Sequence, residues 1–223
     1  PLRGRGVLAS ACDCLHTDWI VAAKWIDLLE LLVTCSLDAT VCLYDVHKLA
    51  PLRVFRGHRF GVRDFVWCHA TKFMASCGTS RQGLMWDPYS LSSMGELDGH
   101  VAPVVALAVD DERARAISVA LDKVIKCWCA RTLRCVQTLA DDTSYRPENI
   151  VSAVHYDASA RAMLTAGNRL TLWHLRAAAR AVPKAKRTHD GAVCAALCNG
   201  RQVVSGDTHG TVCTWDVEHG ELA

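Results

Sequence analysis

The sequence lacks the features that mark several large classes of protein. It contains no uninterrupted apolar run near the roughly 18 to 20 residues that span a bilayer, and the opening PLRGRGVLASACDC lacks the layout of a signal peptide. It also lacks an acidic calcium loop of about 12 residues and a Gly-x-Ser-x-Gly motif. These absences predict a soluble protein with no membrane contact, no calcium site of this type and no hydrolase nucleophile on such a motif.

An excess of charge of either sign is also absent. The formal net charge is +2, whereas a phosphate-binding domain usually has a large, clustered basic excess. Charge balance therefore gives no reason to expect nucleic acid as a partner.

Cysteine is abundant, but its placement does not suggest disulfides or zinc. The twelve cysteines are scattered through strand-like stretches such as LLVTCSL and MASCGT, which favours reduced thiols acting as small buried hydrophobes in the cytosol. The pairs Cys12-x-Cys14 and Cys127-x-Cys129 lack the paired spacing and the roughly four ligands of a structural zinc site. A dinucleotide-like run, Gly4-x-Gly6-x-x-Ala9, follows no strand. We therefore expect no metal and no cofactor.

What the sequence does contain is an internal repeat. A histidine precedes an aromatic residue by 28 positions three times: His16 and Tyr44, His58 and Trp86, and His100 and Trp128. The aromatic positions Tyr44, Trp86, Trp128, Trp173 and Trp215 follow one another at intervals of 42, 42, 45 and 42 residues. A hydroxyl residue lies ten positions before four of them, at Thr34, Ser76, Ser118 and Ser205. A unit of about 42 residues therefore occurs five times.

Each unit has the pattern of a small antiparallel sheet. Apolar residues alternate with period two in segments such as RQVVSGD and TVCTWDV, and turn-forming residues interrupt them every eight to twelve positions. Four strands fit in a unit, and such sheets bury their faces by stacking around an axis. The sequence predicts an all-β propeller with blades at about residues 13–57, 58–99, 100–142, 143–188 and 189–223.

The phased Gly57-His58 with Trp86-Asp87, Gly99-His100 with Trp128, and His16 with Tyr44-Asp45 resemble the WD-repeat family over nearly the whole chain. The resemblance implies a buried tetrad in which aspartate accepts from histidine, histidine faces a serine or threonine hydroxyl, and that hydroxyl meets an aromatic side chain. The implied sets are His16, Thr34, Asp38 and Tyr44; His58, Ser76 and Trp86; His100, Ser118, Asp122 and Trp128; and His189, Ser205 and Trp215.

Three repeats depart from this tetrad. Ser80 replaces the aspartate in the second repeat, His209 stands in that position in the fifth, and the fourth has no histidine at the matching place. We expect these three blades to be less rigid.

Serine, histidine and aspartate are also the residue types of a hydrolase triad, which requires an exposed nucleophile and oxyanion donors. Because the set recurs at one spacing in successive units, a structural role is favoured over catalysis. We therefore expect that the protein is not an enzyme.

The resemblance implies that partners bind the face formed by the loops around Gly-His and the aspartate turn. Trp19, Arg59, Phe60 and Arg63 fall near that rim, and aromatic and arginine side chains are common interface anchors. The alternative is that Trp19 and Phe60 begin inner strands and pack between blades.

One stretch of the chain has a local excess of basic residues. In LRAAARAVPKAKRTHDG the basic residues come within a dozen positions without an acid, at Arg176, Arg180, Lys184, Lys186 and Arg187. They form either a solvated loop or a contact for an acidic partner such as a tubulin tail or nucleic acid.

A finer resemblance concerns large WD-repeat proteins of motile cilia, to which HTDWIVAAKWI, ASCGTSRQGLMWDPYS, DKVIKCW and DDTSYRPENIVSAVHYD are similar. It implies a non-catalytic scaffold on axonemal microtubules, with tubulin or axonemal subunits as partners. The resemblance also implies two propellers of about seven blades each, as such proteins usually have. With five units and Pro1 as its first residue, the chain is expected to be part of a longer polypeptide that supplies the remaining blades.

Two other functions compete with this one. A substrate receptor of a ubiquitin ligase often carries the motif Trp-Asp-x-Arg. Two segments, Trp128-Cys-Ala-Arg131 and Trp173-His-Leu-Arg176, keep the tryptophan and the arginine of this motif but lack its aspartate. A propeller that binds RNA or histones would need a basic or caged central face, which the sequence does not clearly contain.

Overall fold

A computed structural model describes residues 15–48, 50–90, 92–140, 151, 153–158, 161–167, 170–175, 184–186, 193–199, 202–207 and 209–216. Apart from one 3-10 turn, Asp27–Leu29, the regular structure in these ranges is β. No helix in the described segments is long and apolar enough to cross a membrane.

The strands form five antiparallel sheets, each ordered as in the chain. The first sheet contains β1 Ile20–Ile26, β2 Leu31–Ser36, β3 Thr40–Asp45 and β4 Ala50–Arg56. The second contains β5 Val62–Trp67, β6 Met74–Gly78, β7 Gly83–Trp86 and β8 Ser93–Leu97. The third contains β9 Val104–Asp110, β10 Arg115–Ala120, β11 Ile125–Cys129 and β12 Cys135–Leu139.

The fourth sheet contains β13 Ala153–Asp157, β14 Ala162–Ala166, β15 Leu170–His174 and β16 Lys184–Lys186. The fifth contains β17 Val193–Asn199, β18 Gln202–Asp207 and β19 Val212–Asp216. The fourth strand that the repeat pattern predicts for this unit lies outside the described residues. The predicted fold class is confirmed: the chain is all-β and built of sheets of the β-propeller blade type. Its membership of a larger ring remains a prediction.

The hydrophobic core lies between successive sheets. The first strands of neighbouring sheets contact one another in order, β1 with β5, β5 with β9, β9 with β13, and β13 with β17. Between the first two sheets Phe55 meets Trp86 edge-on, with ring centroids 5.4 Å apart, beside buried Val33 and Phe65. Each sheet is thus held by its neighbours, as expected for stacked blades.

The glycines that precede His58 and His100 have a steric reason. A Cβ on Gly57 would come within 2.9 Å of Trp86 Cη2. Gly99, at the same place one repeat later, packs against Trp128. Its φ of +139° is a backbone conformation that residues other than glycine rarely adopt. The Gly-His pair therefore lets the connection to the next sheet cross closely over the indole.

Asp64 on β5 joins three sheets. One carboxylate oxygen accepts from Lys24 Nζ of the first sheet at 2.6 Å, and the other accepts from the backbone N–H of Leu107 in the third at 2.9 Å. The ammonium of Lys24 also donates to the carbonyl of Phe65 and lies 5.1 Å from the centre of its ring. This cross-sheet contact has no counterpart in the tetrad pattern and was not predicted from the repeat spacing.

Candidate partner-binding face

In the second repeat a buried serine links a tryptophan to a histidine through hydrogen bonds. Trp86 Nε1–H donates to Ser76 Oγ at 2.7 Å, and the same hydroxyl lies 2.6 Å from His58 Nε2. Trp86 occupies one lone pair of the Ser76 oxygen, and His58 Nε2 lies within reach of the hydroxyl hydrogen. We therefore assign Nε2 as the acceptor, which puts the proton of the neutral ring on Nδ1. Ser76 is fully buried, and the chain of bonds satisfies an indole and a hydroxyl that could not reach water.

The third repeat has the same hydroxyl-centred contacts but a different aspartate contact. Trp128 Nε1–H donates to Ser118 Oγ at 2.7 Å, and His100 Nε2 lies 2.6 Å from that oxygen. The expectation that Asp122 accepts from His100 is wrong: Asp122 Oδ1 accepts from the backbone N–H of Val124 at 3.1 Å, and His100 Nδ1 is buried without a partner. In this tight turn the carboxylate caps the local backbone, a contact that aspartate commonly makes in turns.

The first repeat contains the histidine–aspartate contact. His16 Nδ1 lies 2.9 Å from Asp38 Oδ2, and His16 Nε2 lies 2.8 Å from Thr34 Oγ1. Asp38 also accepts from the backbone N–H groups of Thr17 and Thr40, at 3.0 and 2.9 Å. Burial raises the pKa of Asp38, but the hydrogen bonds, led by the Thr40 side chain, outweigh it and lower the pKa to about 2. Tyr44 is buried, and its hydroxyl accepts weakly from Leu15 N–H at 3.4 Å.

The fourth repeat forms part of the network despite lacking the histidine. Trp173 Nε1–H donates to Thr165 Oγ1 at 2.9 Å. Sequence reasoning missed Thr165 because it lies eight rather than ten residues before its tryptophan. In the fifth repeat Ser205 is buried, while His189 and the side chain of Trp215 lie outside what the structure describes.

The histidines of the second and third repeats are neutral near pH 7. Burial lowers the pKa of His58 to about 4. Burial also lowers the pKa of His100 to about 4, against an opposing effect of the Asp122 carboxylate. A neutral imidazole can accept at one nitrogen and donate at the other, as the contact with Ser76 requires.

The structure places four of the proposed partner-binding residues on the surface. Trp19 is 80% exposed and Phe60 61% exposed, and Arg59 and Arg63 are also exposed, so neither aromatic ring packs between sheets. Of the basic stretch, Lys184 and Lys186 lie on β16, and their side chains are outside the described part of the chain, as are Arg176, Arg180 and Arg187 altogether.

A groove of about 710 Å³ lies over the second sheet. Its walls come from the connection that carries Gly57–Phe60 and the connection that carries Val101–Pro103, with the β6–β7 turn between them. The polar and charged side chains that line it are His58, Arg59, Thr79, Ser80, Arg81, Gln82, Glu96, Asp98 and His100. Phe60 and Val101 contribute exposed apolar surface.

In the described segments no cluster of three or more histidine, cysteine, aspartate or glutamate side chains could hold a metal ion. The eight cysteines whose side chains are described, Cys35, Cys42, Cys68, Cys77, Cys127, Cys129, Cys135 and Cys213, are free thiols. Five of them are buried, as the placement of cysteine in strand-like segments predicts.

Residues 7–45 and 49–87 match the family described as WD domain, G-beta repeat. A protein of Trichoplax adhaerens called "Ribosome biogenesis protein WDR12 homolog" is 31% identical to the chain over 130 residues. The matching region is 52% of this chain and 29% of that protein, so the chain spans less than a third of the relative's length. These matches support WD40 repeats at residues 7–45 and 49–87 and do not support the finer expectation of a motile-cilium protein.

Proposed function

We propose that the chain is a non-catalytic scaffold that binds other proteins through the loop face of its sheets. The observation that carries the proposal is the groove over the second sheet, whose rim exposes Arg59, Phe60 and Arg81 above a buried network. Aromatic and arginine side chains on a rigid frame are typical interface anchors. WD repeats in general serve as platforms for protein interaction, which agrees with this role.

The burial of the tetrad hydroxyls supports a non-catalytic role. Ser76 is 0% and Ser118 2% exposed, and each already bonds an indole and an imidazole. A nucleophile must reach its substrate and keep a free base beside it. Neither hydroxyl meets that requirement.

Two kinds of assembly are candidates for the scaffold. The segments that resemble motile-cilium WD-repeat proteins support a microtubule-based assembly, with tubulin or axonemal subunits as partners. The 31% identity to a relative named for ribosome biogenesis supports an assembly that makes ribosomes. The two assemblies differ in the particle with which the protein would co-sediment, an axoneme or a ribosomal precursor.

Fractionation of the tagged full-length protein tests both. Extracts are separated into detergent-extracted axonemes and, in parallel, into ribosomal precursors on a sucrose gradient. Recovery in one particle at near-stoichiometric amounts identifies the assembly, and a protein that sediments alone in both experiments contradicts the scaffold role. Recovery only with a ligase adaptor would favour the substrate-receptor alternative.

A further inference from the structure

In the first repeat the loops surround the carboxylate of Asp38 with hydrogen-bond donors. The carboxylate of Asp38 accepts hydrogen bonds from the backbone N–H groups of Thr17 and Thr40 and lies beside Nδ1 of His16. All three distances are within 3.0 Å. Thr40 adds its hydroxyl at 2.6 Å. The loops therefore form a set of convergent donors around one carboxylate, and the low pKa of Asp38 reflects how strongly they favour the negative charge.

The second repeat presents the same positions without the carboxylate. Forty-two residues later, His58, Arg59 and Gln82 stand where His16, Thr17 and Thr40 stand, and Ser80 replaces Asp38. The hydroxyl of Ser80 does not reach the imidazole; it donates to the carbonyl of Gln82 at 2.8 Å.

The imidazole of His58 contacts Ser76 through Nε2 and has no carboxylate at the position that Asp38 occupies in the first repeat. With Nε2 assigned as the acceptor from Ser76, its proton is on Nδ1, and His58 is half-buried at the groove rather than sealed in the core. His58 lines the groove, and so do Arg59 and Gln82, whose backbone N–H groups correspond to the two that hold Asp38. A donor set built for a carboxylate thus opens into a groove of about 710 Å³.

The side chains around this donor set add positive charge and apolar surface. Arg59 and Arg81 are exposed at the groove and can each form charge-assisted bonds to a carboxylate. Phe60 and Val101, which are 61% and 76% exposed, flank it. An apolar side chain next to an acidic one would bury both exposed residues.

We propose that this groove binds a glutamate or aspartate side chain of an extended segment of a partner protein, in the place that Asp38 occupies one repeat earlier. The inference rests on the proposed scaffold function and specifies the chemistry of its partner. Glu96 and Asp98 also line the groove, so they disfavour a run of acidic residues and favour a basic residue next to the acid. The partner segment therefore combines an apolar, an acidic and a basic residue.

The test uses three short peptides and the ¹⁵N-labelled chain. The probes are acetyl-Gly-Leu-Glu-Lys-Gly-amide, the same peptide with glutamine for glutamate, and the glutamine peptide with a free C-terminal carboxylate. NMR titration is expected to show saturable shifts of the His58 ring nitrogens and the Gln82 amide with the glutamate peptide. Binding of the glutamine amide should be at least about fivefold weaker, because charge-assisted bonds are about twice as strong as neutral ones.

Matched variants locate the site. Ser80→Asp supplies the missing carboxylate from within the chain and is expected to abolish binding of the glutamate peptide, whereas Ser92→Asp adds the same charge at an exposed position away from the groove and should not. Arg59→Ala and Arg81→Ala should weaken binding at least about threefold, and Arg134→Ala, exposed near β12, should not. Thermal melts of the Ser80→Asp variant confirm that it folds.

Equal binding of the glutamate and glutamine amides, or unaltered binding by the Ser80→Asp variant, would overturn the proposal. Tighter binding of the peptide with a free C-terminus would overturn the side-chain assignment in favour of a terminal carboxylate. The scaffold role is judged separately, from the fractionation of the wild-type protein. A wild type that joins its assembly but does not distinguish the peptides contradicts only the carboxylate site, and one that binds the glutamate peptide but sediments alone contradicts the scaffold role.

Discussion

Lys24 of the first sheet donates to the carboxylate of Asp64 in the second sheet at 2.6 Å, and that carboxylate also accepts from Leu107 in the third. The side chain of Asp64 is 17% exposed and that of Lys24 46% exposed, so the aspartate is the more buried partner. The stacking of three sheets therefore depends in part on one carboxylate that bridges them.

We expect Asp64→Ala to lower the free energy of unfolding by roughly 2 to 3 kcal/mol, because it leaves the backbone N–H of Leu107 without its acceptor and Lys24 without its ion pair. Lys24→Ala should cost less than about 1 kcal/mol, because the ion pair is partly exposed to solvent. Urea denaturation of the two variants measures both values. A larger loss for Lys24→Ala than for Asp64→Ala would refute the bridging role.

The hydroxyl of Ser118 serves two buried partners, so its removal should be costly. Ser118→Val is expected to destabilise the chain by roughly 1 to 3 kcal/mol, because Trp128 and His100 would lose the oxygen between them. Ser80→Ala should have a smaller effect, since Ser80 donates only to the carbonyl of Gln82 within its own turn. Thermal melts rank the two changes, and the reverse order would show that the networks are assigned wrongly.

Stability should fall in mild acid because of His58 and His100. Burial lowers the pKa of each to about 4, whereas the unfolded side chains titrate near 6.5. The unfolded chain therefore binds more protons, so stability is fully present above about pH 6.5 and is lost as the pH falls toward 4. At pH 5 each histidine should account for a loss of about 2 kcal/mol. Denaturation at pH 7 and pH 5 measures the loss, and His58→Gln should reduce the difference. An unchanged pH dependence in that variant would contradict the buried neutral state of His58.

A close approach between two strands makes Gly78 sensitive to substitution. A Cβ at Gly78 would overlap the carbonyl oxygen of Gly61, a backbone atom that cannot turn aside, whereas one at Gly206 would come no closer than 4.0 Å to its nearest neighbour. We expect Gly78→Ala to cost at least about 2 kcal/mol and Gly206→Ala less than about 0.5 kcal/mol in stability. Melting temperatures of the pair provide the measurement. Equal losses would mean that the strands can separate at Gly61.

The repeat spacing was sufficient to predict the sheets, because His58 and Trp86 have fixed places at a loop and at a strand end. It did not predict Thr165, since the fourth unit has a different length, nor the orientation of Asp122, since a carboxylate in a turn has a backbone donor within reach. Asp64 was missed because contacts between sheets leave no mark in a pattern read within one repeat. Ser80 was predicted as a departure from the tetrad, but the groove that it lines is seen only in the structure.

Three of the tryptophans that the structure describes lie in two very different environments. Trp86 and Trp128 are 1% exposed with their indole N–H groups bonded to serine, whereas Trp19 is 80% exposed at the rim of the loop face. Aqueous quenchers such as iodide reach the indole of Trp19 and are excluded from the other two. A protein that docks on the rim shields Trp19 without disturbing the buried pair, while unfolding of the second and third sheets exposes that pair. Trp25 is also 47% exposed, so fluorescence of a Trp25→Phe variant separates partner binding from loss of structure.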